Sequence, residues 1–236
     1  MTNPVLPPAA KEILRRLRRR YRTEFDTLRL RGRELRILQV SDIEALLNGR
    51  DPFADVSNFP FWVRLWEAAL LLADLILAQP VPTGNRLLEL GAGLGAPGLA
   101  AASAGYRVTL SDYEPHILDF QRVSAAANGL TGVEFRLIDW LKPPQLPRFD
   151  TIIGAEILFR AEFFAPLLKI FRDFLAPGGT IYLAHDVERK SLAPFLELAA
   201  EHFDIGTMTR KLAGDDKEVT VLLNRLQFKE SIRRSN

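Results

Sequence analysis

A doubly wound α/β fold with a mainly parallel sheet is what this 236-residue chain predicts, and three observations carry that expectation. From Arg86 onward, short apolar strands alternate with helical segments. A glycine turn, Gly91-Ala-Gly-Leu-Gly95, follows the first of those strands and opens a helix. Two strand-like stretches close the chain as a hairpin around Gly214-Asp215-Asp216. Such alternation buries a parallel sheet between two layers of helices, and a closing hairpin adds one antiparallel strand. Seven strands result, in a Rossmann-like order, with ligand expected outside their carboxyl ends.

Taken in order, Pro7-Pro8 precede a helix from Ala9 to about Thr23, with Ile13, Leu14, Leu17 and Tyr21 on one stripe and arginines opposite. Leu35 to Val40 reads as a short strand. Asp42 to Leu47 reads as a short helix capped by Ser41, and Asn48-Gly-Arg-Asp-Pro52 is turn chemistry. Residues 1–57 thus form a basic N-terminal extension, a helix plus a short strand, and residues 58–236 form the main domain. The aromatic stretch Asn58 to Trp66 leads into a helix, Arg64 to Ala78, apolar nearly all round and so expected to be buried. Phe59 and Phe61 are expected in the core. After Pro80-Val-Pro82-Thr-Gly84, the apolar Leu87, Leu88 and Leu90 make the first strand of the sheet. Further strands are Arg107 to Ser111, Val133 to Ile138, Thr151 to Ala155 and Thr180 to His185. Helices between them are His116 to Asn128, Phe163 to Leu175 and Leu192 to Phe203, and Ile205 to Lys211 with Glu218 to Leu223 make the hairpin.

Composition bounds the function. The chain is 47% hydrophobic and 25% charged, which suits a globular domain with a sizeable core. It has no cysteine, which excludes disulfides, thiolate metal sites and a cysteine nucleophile, and fits a reducing, cytoplasmic location. The basic N-terminus lacks the long apolar core of a signal peptide. The most apolar run, Ala68 to Ala78, is interrupted by Asp74 and falls short of the roughly 20 residues that span a bilayer. From Lys11 to Arg36, eleven basic residues face four acidic ones, a net +7 that leaves −5 for the rest of a chain whose total is +2. A basic arm on an acidic body points to an acidic protein partner, with nucleic acid as the alternative and a solvated helix face as the simplest case. No metal is expected: His185-Asp186 is only a pair, and His116 and His202 are expected to be solvated. Oligomeric state is not legible.

The chemistry centres on the strand–turn–helix Arg86 to Ala102. Gly91, Gly93 and Gly95 leave no side chain where the backbone turns tightly and approaches a ligand. Pro97 suits a first helical turn, and Gly98 allows close helix–strand packing. Gly93-Leu-Gly95-Ala-Pro-Gly98 matches the dinucleotide pattern, with Asp112 about 20 residues on. The glycines start earlier, however, and Glu89 sits in the strand before them. An acid beside the turn suits an ammonium and would repel a pyrophosphate. Asp112, ending the second strand, is placed to accept from vicinal ribose hydroxyls. Asp139-Trp140, after the third, can bond and stack on an adenine, or serve as a loop cap and a core indole.

Glu89-Leu-Gly91-Ala-Gly93-Leu-Gly95 resembles the first motif of class I methyltransferases that use S-adenosyl-L-methionine (SAM) and release S-adenosyl-L-homocysteine. With Trp66, the SDYEP around Asp112, the IDW ending in Trp140 and the GAEILF after the fourth strand, the chain resembles the seven-β-strand protein-lysine methyltransferases. That subgroup includes the lysine methyltransferase of the electron-transfer flavoprotein β-subunit. The likeness covers about Phe59 to Asp186. It implies that Trp66, Gly91, Ala92, Gly93, Asp112, Trp140 and Ala155 bind SAM, joining Glu89, Gly95 and Asp139 from the reading above. It also implies that Glu156 faces the acceptor and orients it, with Phe159 beside it. The subgroup's usual motif after that strand is Asp-x-x-Tyr; here it reads Glu156-Ile-Leu-Phe159, with a longer acid and no hydroxyl.

Methyl transfer to a protein lysine is therefore the expected activity. Glu156 would hold the amine by a hydrogen bond, and Phe159 would offer a ring face or fill the core. A small molecule or RNA is the alternative acceptor. An NAD-dependent oxidoreductase and a non-catalytic interaction module of the same fold are the readings from other classes.

Overall fold

A computed structural model of the chain describes residues 4–42, 60–213 and 218–230. All of the helix expected from Asp42 to Leu47 but Asp42 itself, together with Phe59 and the hairpin tip at 214–217, lies outside the described residues.

The arm begins with α1 (Pro8–Arg18), whose Ala10, Leu14 and Leu17 are buried. It ends sooner than its stripe suggested, because Thr23 already belongs to an unforeseen strand. This is β1 (Thr23–Leu30), paired antiparallel with β2 (Arg33–Val40) from Thr23↔Val40 to Leu30↔Arg33. Arg31 and Gly32 make the two-residue turn with φ of +47° and +75°, the doubly left-handed geometry that matches strand twist. The arm is thus a helix plus a hairpin. Its sheet edge is fastened by side chains of α4 (Pro115–Ala127) and the residue after it. Asn128 accepts from the Arg36 N–H at 2.8 Å and donates to the Arg36 carbonyl at 2.7 Å, and Ser124 Oγ accepts the Leu38 N–H at 2.9 Å. Arg31 forms a two-pronged pair with Asp74.

A short helical turn at Phe61–Val63 precedes α2 (Glu67–Ala78). As expected, α2 is enclosed: all its residues but Ala78 are buried or half-buried. Phe61 is not in the core but 42% exposed, because Val63 turns inward in its place.

The main sheet is built from β3 (Arg86–Glu89), β4 (Arg107–Asp112), β5 (Val133–Leu137), β6 (Phe149–Ala155), β7 (Leu175–Asp186), β8 (Phe203–Ala213) and β9 (Glu218–Phe228). Their order is β5-β4-β3-β6-β7-β9-β8. The first five are mutually parallel, and β9 pairs antiparallel with both β7 and β8, so one strand runs against the rest. Helices α3 (Ala96–Ser103), α5 (Phe164–Phe174) and α6 (Leu192–Ala199) complete the alternation. One apolar layer joins α1–α4 and the arm to one face of the sheet; a second joins α5 and α6 to the other. Helix α5 stops at Phe174, and β7 starts at once, because Leu175 pairs with Phe149 and is fully buried. The strand then bulges at Gly178, φ +77°, before resuming at Thr180. The chain's order turns back between β3 and β6, so the crevice lies above their carboxyl ends. Among the described residues, no helix is long and apolar enough to cross a membrane.

Candidate active site

The glycine loop leaves the buried end of β3 and enters α3. Gly91, Gly93 and Gly95 stand at φ +57°, +52° and +78°, the left-handed region that favours glycine. Glu89 is 1% exposed, and its Oε2 accepts the Gly98 N–H at 2.7 Å. The acid expected to meet a ligand's ammonium therefore lies beneath the loop and caps the helix that follows it. The reason is local: the first N–H groups of α3 lack helical partners and lie directly in its reach. Burial pushes the Glu89 carboxyl up to about 8, against the pull of the Gly98 N–H. A Cβ on Gly98 would sit 2.3 Å from Leu110 and 2.5 Å from Glu89, so this glycine does provide the close packing its position suggested.

Gly93 is gripped on both sides. Its N–H donates to Asp112 Oδ2 at 2.8 Å, and its carbonyl accepts Gln121 Nε2 at 2.8 Å. The other Asp112 oxygen accepts the Tyr113 N–H at 2.7 Å. Each oxygen thus keeps acceptor capacity, as bonding to two hydroxyls requires. Burial raises the Asp112 carboxyl, and the N–H groups of Gly93, Tyr113 and Glu114 oppose the rise. Ala92 is buried, its N–H held by the Ser111 carbonyl at 2.9 Å. Gln121, on the inward face of α4, is a site residue that sequence reasoning missed. Its signal was a glutamine inside an otherwise apolar stripe.

After β5, Asp139 Oδ1 accepts the Leu141 N–H at 2.9 Å, the loop-cap geometry. The half-buried Trp140 indole would stand 3.3 Å from a Cβ on Gly91. Its ring meets Phe163 edge-on at 5.3 Å and Phe159 at 6.2 Å, and these two phenylalanines meet at 5.4 Å. Phe159 is 46% exposed. The three rings form a wall beside the loop, of which Phe163 was not foreseen.

Trp66 caps the start of α2. Its Nε1 donates to the Phe61 carbonyl at 2.8 Å, and Arg64 lies over its ring. It is Trp62 whose backbone comes within 3.7 Å of a Cβ on Gly93. The Trp62 ring packs against Tyr21 of the arm at 5.6 Å, His116 at 5.0 Å and Phe120 at 5.1 Å. His116 is correspondingly half-buried rather than solvated, and burial lowers its pKa.

Ala155 ends β6, and Glu156 follows at φ +56° with its N–H on the Ala184 carbonyl. Its Oε1 accepts the Asp186 N–H at 2.6 Å, and its Oε2 is bound by Arg189. His185, fully buried, accepts the Leu158 N–H at 3.3 Å, and burial holds its pKa at about 3. Among the described residues there is no cluster of three or more metal-ligating side chains.

The sheet order, the left-handed glycines and an acid ending the second parallel strand define a class I methyltransferase site. The profile of a family described as lysine methyltransferase matches residues 60–202. The chain is 33% identical over 174 residues to the mouse EEF1A lysine methyltransferase 3, covering 71% of this chain and 72% of that one. It is 29% identical over 172 residues to protein N-lysine methyltransferase METTL21A of Xenopus tropicalis, covering 70% and 77%. Its fold is that of the N-methyltransferase NodS from Bradyrhizobium japonicum, solved with S-adenosyl-L-homocysteine, at a TM-score of 0.57 and 20% identity over 80% of this chain and 97% of that one. The chain belongs to the lysine methyltransferase family and is a SAM-dependent protein methyltransferase. The oxidoreductase and non-catalytic readings fall away.

The residues present fit SAM. Three side-chain-free positions open above β3, and Asp112 offers an acceptor on each oxygen. Gln121 Oε1, beside Gly95, is buried with no hydrogen-bond partner among the described residues.

Proposed function

We propose that the acceptor is a lysine side chain of a protein with an acidic surface, and that transfer takes place in the cytosol. The observation that carries the lysine reading is the carboxylate of Glu156, at the carboxyl end of β6 and on the same sheet end as the glycine loop. SAM, when bound, supplies a methyl group already activated by its sulfonium charge, so the protein's task is mainly alignment. On this reading Gly91, Ala92, Gly93 and Gly95 shape the cradle. Asp112 holds the ribose, Trp140 and Asp139 the adenine, and Trp66 and Ala155 complete the walls. Glu89 supports the loop from below. Glu156 accepts a hydrogen bond from the amine, and Phe159 borders it.

Residues 1–57 act as the docking arm of the catalytic body, 58–236. Arg18, Arg19 and Arg20 are exposed at the end of α1, and among the described residues none of them pairs with a carboxylate. Tyr21 leads from them through Trp62 to Gly93. A ridge of exposed arginines, of which Arg18 bonds Thr23 and Arg20 lies over the Tyr21 ring, suits an acidic segment of the substrate protein. The total absence of cysteine supports a reducing compartment.

The test is transfer of labelled methyl groups from SAM to the proteins of a cell extract, followed by hydrolysis of the labelled product. Label is expected on methylated lysine. Label on arginine or histidine would overturn the lysine reading, and label in RNA would overturn the protein reading. Replacing Arg18, Arg19 and Arg20 by glutamate should cut transfer about tenfold at low salt and leave SAM affinity unchanged. Unchanged transfer would remove the acidic docking surface.

A further inference from the structure

Glu156 is held from the turn that follows β7. Its Oε1 accepts the Asp186 N–H at 2.6 Å; its Oε2 accepts Arg189 Nε at 3.0 Å and Arg189 Nη2 as well. A carboxylate has about four acceptor positions, so three are filled and one remains. The side chain is 15% exposed and that of Arg189 33%. The same turn pins the next residues: His185 accepts the Leu158 N–H, and Ser191 Oγ donates to the Leu158 carbonyl. The left-handed backbone of Glu156 is thus kept in place by contacts from β7 and its turn.

We propose that Arg189 is a positioning residue for methyl transfer: it neutralises Glu156 so that the carboxylate offers the acceptor amine a hydrogen bond without forming an ion pair with it. The inference rests on the reading that Glu156 faces the acceptor amine. A bare carboxylate beside an amine favours the ammonium, raising its pKa by about 1–3 units. The ammonium has no lone pair with which to form the new C–N bond. A guanidinium on the far side of the carboxylate cancels most of that field while leaving one acceptor position. Arginine suits this place because its fork is planar and permanently charged. The neighbouring titratable groups have other engagements. His185 stays neutral in its buried position, Asp186 accepts the Glu188 N–H at 2.8 Å, and Arg160 pairs with Glu162 at 3.3 Å.

The test measures initial rates of labelled-methyl transfer from SAM to extract proteins between pH 6.5 and 10, with SAM affinity measured alongside. In Arg189→Met the rate should fall about tenfold at pH 7.5, and the loss should narrow only toward and above pH 10, as the amine, with a pKa ordinarily about 10.4, deprotonates by itself. Arg189→Lys should keep the rising limb near its native position. Glu156→Gln should move it to lower pH, since the guanidinium then stands uncompensated. The double variant, Glu156→Gln with Arg189→Met, should return it toward the native pH at a lower plateau. A loss in Arg189→Met of equal size at every pH would overturn the inference, as would parallel loss of SAM affinity or failure of the double variant to restore the limb. Should Arg189→Met not fold, Arg189→Gln, which keeps a hydrogen-bond donor toward Glu156 without the charge, takes its place with the same expected loss. Absence of any labelling by the native protein would sink the acceptor reading first, and this inference with it.

Discussion

Glu89 shows how one residue can serve the site without facing it. A carboxylic acid buried at the end of β3 and bonded to the Gly98 N–H supports the turn from below. Its folded-state pKa, about 8, stands above the ordinary 4.5. The stabilisation it brings is therefore complete below about pH 4.5 and is lost as pH rises through about 8. Thermal unfolding at pH 5, 7 and 9 should show the native protein weakening toward alkali. Glu89→Gln, whose amide oxygen can still accept the Gly98 N–H, should show a flatter profile; equal slopes would contradict the assignment. Gly98→Ala should cost about 1–3 kcal/mol by overpacking, since its Cβ would collide with Leu110 and Glu89. Denaturant midpoints measure that cost.

At the scale of elements, beside its apolar packing the arm is attached by two kinds of polar contact of unequal worth. The Arg31–Asp74 pair is about half exposed on both sides, 48% and 40%, and water screens it. Asn128 instead completes the hydrogen bonding of a strand edge and is half-buried. Asn128→Ala should cost about 1–3 kcal/mol, because the Arg36 N–H and carbonyl lose their partner. Arg31→Ala should cost under about 1 kcal/mol. Hydrogen exchange at the Arg36 amide should accelerate in the first variant only. Equal effects would mean that the surface pair holds the arm as firmly as the edge bonds do.

For the molecule as a whole, the proposed ligand-holding groups other than Trp66 stand at one end of one sheet, at or just after the carboxyl ends of β3, β4, β5 and β6. Binding there should stabilise the fold throughout. S-adenosyl-L-homocysteine at a hundred times its Kd should add about 2.7 kcal/mol. At the same concentration Asp112→Ala should gain far less, because it loses both the proposed ribose contact and the hold on Gly93. A gain in the variant equal to the native one would remove Asp112 from the cofactor site. NAD should add nothing in either protein.

The sequence by itself determined the alternation of elements, the seven-stranded sheet, the place of the glycine loop and the acid at the end of β4. Each of these follows from local rules: apolar periodicity, glycine where the backbone is left-handed, and the carboxyl end of a strand as the place where chains meet ligands. Only the tertiary structure decided which groups share a contact. β1 went unread because TEFDTLRL has no strict alternation of apolar and polar residues and its Arg31-Gly32 turn is a weaker signal than Asn-Gly. Glu89 turned beneath the loop because the start of α3 offered it an N–H. The backbone of Trp62 came against Gly93 because the short turn at Phe61–Val63 places it there. Arg189 reached Glu156 across 33 positions because β6 and β7 lie side by side. Pairings of this kind depend on register and crossover, which bring distant residues together and which no local pattern encodes.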